Sequence, residues 1–423
     1  MKKKKEISKK IYDMNQDERM NFLKKDLKLS SKEIEILKDL PKNFTFDNIN
    51  RMIENAIGII PIPLGIVNNF VVNKKKYVVP MATEEPSIIA AANKAAKIVS
   101  ISGGFTAECD DSIMIGQIQL ISPNINFQNL KKKILKNKQL LLDIANSKSR
   151  SVQAKDIQIR HLIDESQNKM GEMNIIEIIV DTKDAMGANV INTMCEAIAP
   201  KIEEISNGKT ILKILSNFST KRLVRAKAIF LKNEIGAEII DRILYAYAFA
   251  YSDPYRAVTH NKGVMNGIDS VAIATGQDYR AIESAAHAYA SISGKYRSLT
   301  KWTKSKDGNL IGEIEIPLAV GVVGGIILVH PFVKTSLKIL NIKTAKELAM
   351  IMACVGLAQN FSAIRALASE GIQKGHMKLH AKNIAITAGA RGNEIDNLAN
   401  KLIKEGNVSV NRALELLEVV SKK

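Results

Sequence analysis

One lysine lies in an unusually small and polar stretch of the sequence, Thr259–Gly267, where glycine and asparagine surround Lys262. Such surroundings are unusual for a hydrophobic core and suit a partly buried electrophilic site. A lysine ammonium there can stabilise an alkoxide that develops in a transition state. A solvated loop lysine is the simpler alternative, because the chain contains many lysines. We predict a loop here, with Lys262 as a candidate catalytic cation.

Two acidic residues, Glu84 and Glu85, precede Pro86 at the start of a predicted helix, Ser87–Val99. Proline is favoured in the first turn of a helix. A carboxylate near a helix N-terminus usually only stabilises the helix dipole. A carboxylic acid with a raised pKa could instead donate a proton to a substrate. The residues alone leave both interpretations open.

Two histidines, His376 and His380, have the i, i+4 spacing of one helix face. This spacing can bind zinc, but no third ligand stands at a telling distance and no H-E-x-x-H motif is present, so we expect no metal. A histidine beside Gly375, near a mobile C-terminal segment, can instead act as a general acid that closure brings to the substrate.

The stretch Asp184–Asn189 follows a predicted strand and opens a predicted helix. A helix N-terminus offers free backbone N–H groups and the positive end of the dipole, and Gly187 lets a phosphate approach closely. This suits the pyrophosphate of a dinucleotide, although a tight strand-to-helix turn would have the same sequence. No G-x-G-x-x-G motif is present, so a Rossmann domain is not expected.

The elements around this stretch have a regular order. Strands are predicted at Met114–Ile121, Ile157–Ile163, Ile175–Val180 and Thr210–Leu215, and helices at Asn129–Asn146 and Gly187–Ile205. The order β-α-β-β-α-β is that of a ferredoxin-like unit. We predict that this small domain is inserted in a larger one.

The rest of the chain is predicted to be mostly helical after a loop-rich stretch at 57–75. A first helix is expected within residues 6–40. Later helices are predicted at 222–232, 236–251, 278–293, 343–368, 376–388, 394–405 and 410–421, with a glycine-rich apolar segment at 314–329. The prediction is an α+β fold with three domains. These are a mostly helical large domain (1–110 and 221–372), a ferredoxin-like domain (111–220) and a small helical C-terminal flap (373–423).

Length and composition narrow the class of protein. With 423 residues, 46% of them hydrophobic, the chain should form more than one core. Its three cysteines are far apart, which argues against a disulfide framework and fits a reducing cytoplasm. The most apolar segments, 57–67 and 314–329, are too short or too interrupted to span a bilayer. We therefore predict a soluble protein.

The net charge of +18 has two alternative explanations. One is that the protein binds a polyanionic partner, and the other is that the source organism uses lysine frequently in all of its proteins. Lysines are spread along the chain and only 5% of residues are aromatic, so a single-strand stacking platform is poorly supported. A nucleic-acid-binding protein remains an alternative that rests on charge alone.

Taken together, these motifs resemble those of class II, bacterial-type hydroxymethylglutaryl-CoA reductases over nearly the whole chain. The matching stretches are Glu54–Gly58, Pro80–Ala91, Asp184–Glu196, Asp253–Arg256, His260–Asp269, Ala274–Asp278, Gly356–Asn360 and Glu370–Asn383. Several long matches in the same order make the resemblance specific. A non-catalytic CoA-binding protein and another acyl-CoA oxidoreductase are the alternatives that share the fold.

The resemblance implies roles for individual residues. The family's catalytic lysine, glutamate, aspartate and flap histidine fall on Lys262, Glu85, Asp278 and His376. Residues around the hydroxymethylglutaryl group fall on Ser87, Arg256 and Asn266, and residues near CoA on Gln359 and Asn360. The cofactor side falls on Asp184, Met186, Gly187, Ala188, Asn189 and Asn217.

The implied reaction reduces hydroxymethylglutaryl-CoA to mevalonate and CoA through two successive hydride transfers from a nicotinamide cofactor. Lys262 would stabilise the oxyanion, Glu85 would protonate the second carbonyl oxygen, and Asp278 would bridge the two. His376 would protonate the departing CoA thiolate. Relatives are dimers with the site at the subunit interface, which implies a homodimer or a higher homo-oligomer. The physiological direction stays open.

The chain departs from its relatives between residues 146 and 156, a segment that is shorter here. Where NADH-preferring relatives carry an acidic residue that contacts the ribose 2′-hydroxyl, this chain has Ser149, with Lys148 and Arg150 beside it. A carboxylate repels a 2′-phosphate, whereas these residues would accept one. We expect NADPH as cofactor, with NADH possible. A second departure, Ile326-Ile327-Leu328, has no mechanistic interpretation.

Overall fold

The computed structural model describes residues 14–38, 46–121, 126–369 and 372–421. The strands are β1 Leu64–Val72, β2 Lys75–Ala82, β3 Thr106–Cys109, β4 Ile113–Ile121, β5 Gln153–Ile163, β6 Glu172–Asp181, β7 Lys209–Ser216, β8 Leu223–Phe230, β9 Thr300–Lys304 and β10 Leu310–Pro317. The α-helices are α1 Gln16–Asp26, α2 Ser31–Lys38, α3 Phe46–Asn50, α4 Ile88–Ile101, α5 Phe127–Lys136, α6 Lys138–Asn146, α7 Ala188–Ser206, α8 Lys232–Ile235, α9 Ala237–Ser252, α10 Pro254–Ala274, α11 Tyr279–Ala290, α12 Pro331–Leu340, α13 Ala345–Ala368, α14 Ile372–Thr387, α15 Asn393–Glu405 and α16 Val410–Ser421.

The elements from β4 to β7 form the β-α-β-β-α-β unit that the sequence predicts. Their sheet has the order β5-β6-β4-β7, and all of its pairs are antiparallel. Alternate residues of β4, such as Met114 and Ile118, are buried among the helices α5, α6 and α7. The helix predicted at Asn129–Asn146 is divided in two at Asn137.

The largest core surrounds α13, which is buried along most of its length. It packs against α10, α4 and a four-stranded antiparallel sheet of order β3-β8-β10-β9. α13 is long and apolar enough to cross a membrane by length and composition, but 83% of its most apolar window is buried inside the protein. It is therefore the central helix of a core, which the search for apolar segments in the sequence missed.

The sheet of this larger core differs from the secondary structure predicted for the same residues. Residues 222–232, predicted as a helix, hold strand β8, because burial alternates residue by residue from Val224 to Phe230. That period of two belongs to a strand with one buried face. The stretch at 57–75 holds β1, and the apolar segment at 314–329 begins with the end of β10 and ends in a 3₁₀ turn, Gly325–Leu328.

The chain termini form two smaller clusters. The helix expected within residues 6–40 is two helices, α1 and α2, and α1 begins with a capping box between Asn15 and Glu18; residues 1–13 and 39–45 lie outside the described residues. The predicted C-terminal helices are observed as α14, α15 and α16, which share a small apolar core that includes Leu398 and Leu402.

Candidate active site

Lys262 lies in the middle of a long helix, α10, so the predicted loop is wrong. Asp253 caps the helix by accepting a hydrogen bond from the backbone N of Arg256 at 2.8 Å. The glycines of this stretch serve helix packing: a Cβ at Gly267 would lie 2.8 Å from the carbonyl oxygen of Val355 on α13. Small residues that let two helices approach were misinterpreted as turn residues.

The ammonium of Lys262 meets the carboxylate of Glu85. Lys262 Nζ lies 3.0 Å from Glu85 Oε2, and the two side chains are 62% and 35% exposed. Glu85 stands in the turn between β2 and α4, where its backbone N donates to Thr83 Oγ1 at 3.2 Å. Glu84 beside it is exposed. A cation and a carboxylate therefore lie side by side at an accessible place.

Ser87 follows this turn in a strained backbone conformation. Its φ of 84° lies in the left-handed region, and its side chain does not cap α4, whose first residue it precedes. A serine in this region costs on the order of 1–3 kcal/mol and persists where the surroundings impose it. The Ser87 hydroxyl therefore makes no hydrogen bond to the helix N–H groups, and it lies two positions after Glu85 in the sequence.

Two further predicted substrate residues lie on α10. Asn266 is one turn after Lys262, so the two share a helix face. Arg256 is half-buried, and burial lowers the pKa of its guanidinium. Within the described part of the chain, Arg256 has no carboxylate at ion-pair distance. An incompletely hydrated cation without a counter-ion is suited to bind a substrate carboxylate.

Asp278 stands apart from Lys262 and Glu85 within one chain. It caps α11 by accepting from the backbone N of Ala281 at 3.1 Å, and it pairs with Arg280 at 3.3 Å. From Lys262 to the end of α10 at Ala274 the helix rises about 18 Å. The backbone N of Gln277 donates to Ala272 O at 2.8 Å, which keeps Asp278 at that far end. One chain alone does not bridge the three residues.

His376 lies in α14, within the C-terminal helices. Its side chain is outside the described residues, as are those of its neighbours from Ile372 to Leu379. Its role therefore stays a prediction.

The residues expected to bind the cofactor come together at one edge of the ferredoxin-like sheet. Gln153 at the start of β5 and Ile113 at the start of β4 both pair with Asp181 at the end of β6. The segments 147–152 and 182–187 therefore lie side by side, since neighbouring strands are about 4.8 Å apart. Asn217 follows the end of β7 at the same edge, where Ser216 pairs with Ile115.

The loop 182–187 turns tightly into helix α7. Gly187 has φ 102° and precedes the first residue of α7, and a Cβ at this position would lie 2.4 Å from Thr182 Cγ2. Asp184 has a different partner from the one expected: its Oδ1 accepts from the backbone N of Ala345 at 2.8 Å, at the N-terminus of α13. Asp184 thus anchors the loop to the larger core.

The segment with Ser149 is ordered by that serine. Ser149 Oγ accepts hydrogen bonds from the backbone N of Val152 at 3.0 Å and of Ser151 at 3.3 Å. Arg150 next to it is exposed. The arginine can therefore reach a ligand at this sheet edge without losing an internal ion pair.

Asn360, which is expected near CoA, lies in the core of the protein. Asn360 is 1% exposed on α13. Its Oδ1 accepts from Thr300 Oγ1 at 2.9 Å and from Trp302 Nε1 at 3.0 Å, and its Nδ2 donates to His260 O at 3.2 Å. These bonds satisfy buried polar groups of the core, so Asn360 is a structural residue. Gln359 is also buried, with its Oε1 unpaired among the described atoms.

Two buried ionisable groups escaped the sequence analysis. Arg222 is buried behind the loop 182–187. Asp269 on α10 faces Glu283 on α11, and burial together with that neighbour raises the pKa of the Asp269 carboxyl. Glu283 in turn contacts His287 at 2.6 Å. The alternating pattern of β8 could have placed Arg222 on an inward-facing position, had the strand been recognised.

The chain is similar to known proteins over most of its length. The family model described as hydroxymethylglutaryl-coenzyme A reductase matches residues 15–381. The 3-hydroxy-3-methylglutaryl-coenzyme A reductase of Archaeoglobus fulgidus is 48% identical over 417 residues, which cover 96% of this chain and 93% of the relative. A probable reductase of the same name from Borreliella burgdorferi is 37% identical over 400 residues, 91% of this chain and 90% of the relative.

Solved structures of the Streptococcus pneumoniae reductase have the same fold. One superposes with a TM-score of 0.81 at 39% identity and covers 97% of this chain and 98% of its own. Another, described as the class II reductase bound to NADPH in open conformations, gives a TM-score of 0.80 at 39% identity, with coverage of 96% and 100%. With a family model that matches most of its length and relatives this similar, the chain belongs to the hydroxymethylglutaryl-coenzyme A reductase family.

Proposed function

We propose that this chain catalyses the four-electron reduction of 3-hydroxy-3-methylglutaryl-CoA to mevalonate and CoA with two NADPH. The observation that carries the proposal is the contact of Lys262 with Glu85, 3.0 Å apart on the surface of the large domain. Family membership supplies the reaction. The pair supplies an accessible cation next to an acid, which carbonyl reduction needs.

Lys262 and Glu85 have different roles at the carbonyl of the substrate. The Lys262 ammonium donates hydrogen bonds to the carbonyl oxygen and stabilises its negative charge once the carbon has been reduced. Glu85 holds the proton that this oxygen receives at the second reduction. The 3.0 Å contact places both groups beside the same substrate oxygen in this proposal.

Arg256, Ser87 and Asn266 orient the acyl group in this proposal. The unpaired guanidinium of Arg256 suits the carboxylate of the hydroxymethylglutaryl group. Ser87 offers a hydroxyl that does not cap its helix. Asn266 adds an amide on the same face of α10 as Lys262, and Gln359, although buried, remains the candidate nearest to CoA.

The edge of the ferredoxin-like sheet fits a dinucleotide. Thr182 fills the space where a side chain at Gly187 would stand, so the loop turns tightly into the 19-residue helix α7, whose N-terminal N–H groups would hold a phosphate. When bound, NADPH supplies the hydrides. The residues proposed to surround the dinucleotide at this loop are Met186, Ala188, Asn189 and Asn217. Asp184 anchors the loop. Ser149 and Arg150 would accept the 2′-phosphate.

His376 is proposed as the proton donor to the departing CoA thiolate. It lies in α14 at the start of the proposed flap, residues 373–423. A group on a separate small unit can approach the thiolate late in the reaction, after the acyl carbon has been reduced.

A second copy of the chain completes the site in this proposal. Asp278 is too far from Lys262 within one chain, so it would be contributed by the partner. The apolar side chains of Ile57, Ile60, Tyr245 and Tyr255 are 98%, 90%, 80% and 86% exposed, and a subunit interface typically buries side chains of this kind. We place the enzyme in the cytoplasm, where its free cysteines stay reduced.

The direct test is NADPH oxidation by the purified protein. We expect absorbance loss at the NADPH band only after hydroxymethylglutaryl-CoA is added, with mevalonate and free CoA as products and two NADPH consumed for each mevalonate. Acetyl-CoA in place of the substrate is the control. NADPH oxidation that does not depend on hydroxymethylglutaryl-CoA, or none at all, would contradict the proposal.

A further inference from the structure

Arg222 lies immediately before β8 and is 1% exposed. Its guanidinium reaches two points of the loop 182–187: Nη1 donates to Thr182 Oγ1 at 3.1 Å and to Ala185 O at 3.3 Å. Nη2 donates to Val320 O at 2.5 Å, three residues after the end of β10. One side chain thus ties the ferredoxin-like unit to the large domain.

The partners of Arg222 are neutral oxygens. Among the described residues, no carboxylate lies within ion-pair distance of its guanidinium. Burial lowers the pKa of Arg222 to about 10, with Asp184 and Asp181 opposing the shift from farther away, so the group remains a cation near neutral pH. A buried cation without a paired anion is costly to keep.

The loop in front of Arg222 is held from several sides. The Asp184 carbonyl accepts from the backbone N of Val322 at 2.9 Å. A Cβ at Gly321 would lie 2.6 Å from the backbone N of Met186, so these two segments touch. Gln277, next to Asp278, exchanges two hydrogen bonds with Gly321 at 2.8 and 2.9 Å. The loop is therefore a fixed surface, and the charge of Arg222 lies directly behind it.

We propose that Arg222 is a positioning residue for the cofactor: it fixes the loop 182–187 and places a buried positive charge behind the site of the dinucleotide pyrophosphate. This inference rests on the proposed function, because it assumes that NADPH binds at this loop. The cofactor would then bring further negative charge to the buried cation, in addition to that of Asp184 and Asp181. In a poorly hydrated region a charge is weakly screened, so it can attract a bound anion over a few ångströms.

The chain offers a matched control on β8, the strand that directly follows Arg222. Arg225 lies three positions after Arg222, but it is 37% exposed and already paired with Asp110 at 2.8 Å and Glu315 at 2.6 Å. Replacing Arg225 removes the same charge close to the same sheet without touching the loop. Arg222→Gln removes the cation, whereas Arg222→Lys keeps it and loses the forked geometry.

The experiment measures the Kd of NADPH by its fluorescence, together with KM for NADPH, KM for hydroxymethylglutaryl-CoA and the thermal midpoint, for the full-length protein and each variant. We expect Arg222→Gln to weaken NADPH binding by about tenfold or more and Arg222→Lys to recover part of that loss, as expected when a charge-assisted interaction is removed. KM for hydroxymethylglutaryl-CoA should stay within about twofold, and Arg225→Gln should bind NADPH like the wild type.

Three outcomes would overturn the inference. The first is unchanged NADPH binding in both folded Arg222 variants. The second is an equal rise of both KM values with a lowered thermal midpoint, which would reduce Arg222 to a general structural tie. The third is wild-type protein that fails to bind NADPH; it would also overturn the proposed function, and the wild-type measurement separates this case from the first two. If Arg222→Gln does not fold, Thr182→Val tests the same contact, with weaker NADPH binding expected and unchanged binding counting against the inference.

Discussion

Lys262 Nζ and Glu85 Oε2 lie 3.0 Å apart although 177 positions separate the two residues in the sequence. Helix α10 brings the lysine, and the turn between β2 and α4 brings the glutamate. α10 packs against both β2 and α4, so the contact depends on the core of the large domain. The ion pair is accessible to a substrate on one side.

Replacing Lys262 by alanine should abolish turnover and leave CoA binding intact. The substitution removes the cation that stabilises the oxyanion, a contribution of about 10²–10³ or more in kcat for a single donor of this kind. Steady-state NADPH oxidation and CoA binding by calorimetry measure the two effects. Lys306→Ala, at an exposed lysine in the turn before β10, is the control. Normal turnover of Lys262→Ala would remove this lysine from the mechanism.

Glu85 and Glu84 are neighbours that the structure places differently. Glu85→Gln removes the proposed proton donor while keeping its size, and we expect kcat to fall by about 10²–10⁴-fold. Glu84→Gln, with the same change at the exposed neighbouring position, should stay within about twofold because surface substitutions have small effects. Equal losses in both variants, or a larger loss in Glu84→Gln, would mean that the wrong carboxylate has been chosen.

Asp278 should act on the Lys262–Glu85 pair of another subunit. Lys262→Ala and Asp278→Ala proteins, each inactive alone, should regain activity when mixed under conditions that exchange subunits. Random mixing into dimers would restore roughly a quarter of the wild-type value, because half of the dimers are mixed and each then holds one intact site of two. No recovery despite proven subunit exchange would place all three residues in one chain or remove Asp278 from the site.

The choice between NADPH and NADH should depend on Ser149. Ser149→Asp places a carboxylate where the 2′-phosphate is expected, so kcat/KM for NADPH should fall by about tenfold or more, the scale of one repulsive charge contact, while the value for NADH changes little. Asn168→Asp adds the same charge in the turn between β5 and β6, at the opposite edge of the sheet, and should change neither value. A wild-type preference for NADH would contradict the assignment of this segment.

Asn360 should prove to be a stability residue. Asn360→Ala removes the hydrogen bonds that the amide makes with Thr300, Trp302 and His260, and each lost buried hydrogen bond costs about 1 kcal/mol. We expect a clearly lower thermal midpoint with KM for hydroxymethylglutaryl-CoA almost unchanged. The reverse pattern, a raised KM at unchanged stability, would return Asn360 to the CoA site.

Much of the ferredoxin-like unit could be predicted from the sequence because its signals are local. Strand β4 alternates apolar and polar residues, and α7 begins directly after Gly187. The strand β8 was mistaken for a helix because its buried positions include alanines and its exposed ones arginine and lysine, which are all good helix formers. Only its neighbours in the sheet decide that it is extended.

The sequence by itself determined the family, the order of the elements in the ferredoxin-like unit and the four residues proposed for catalysis, since ordered motifs along a chain need no coordinates. Tertiary structure decided how those residues stand to one another. Lys262 meets Glu85 because α10 packs beside the turn after β2, whereas Asp278 lies at the far end of the same rigid helix. It also decided that Asp184 caps α13 and that Arg222 is buried behind the loop 182–187, because burial and hydrogen-bond partners depend on residues distant in the chain.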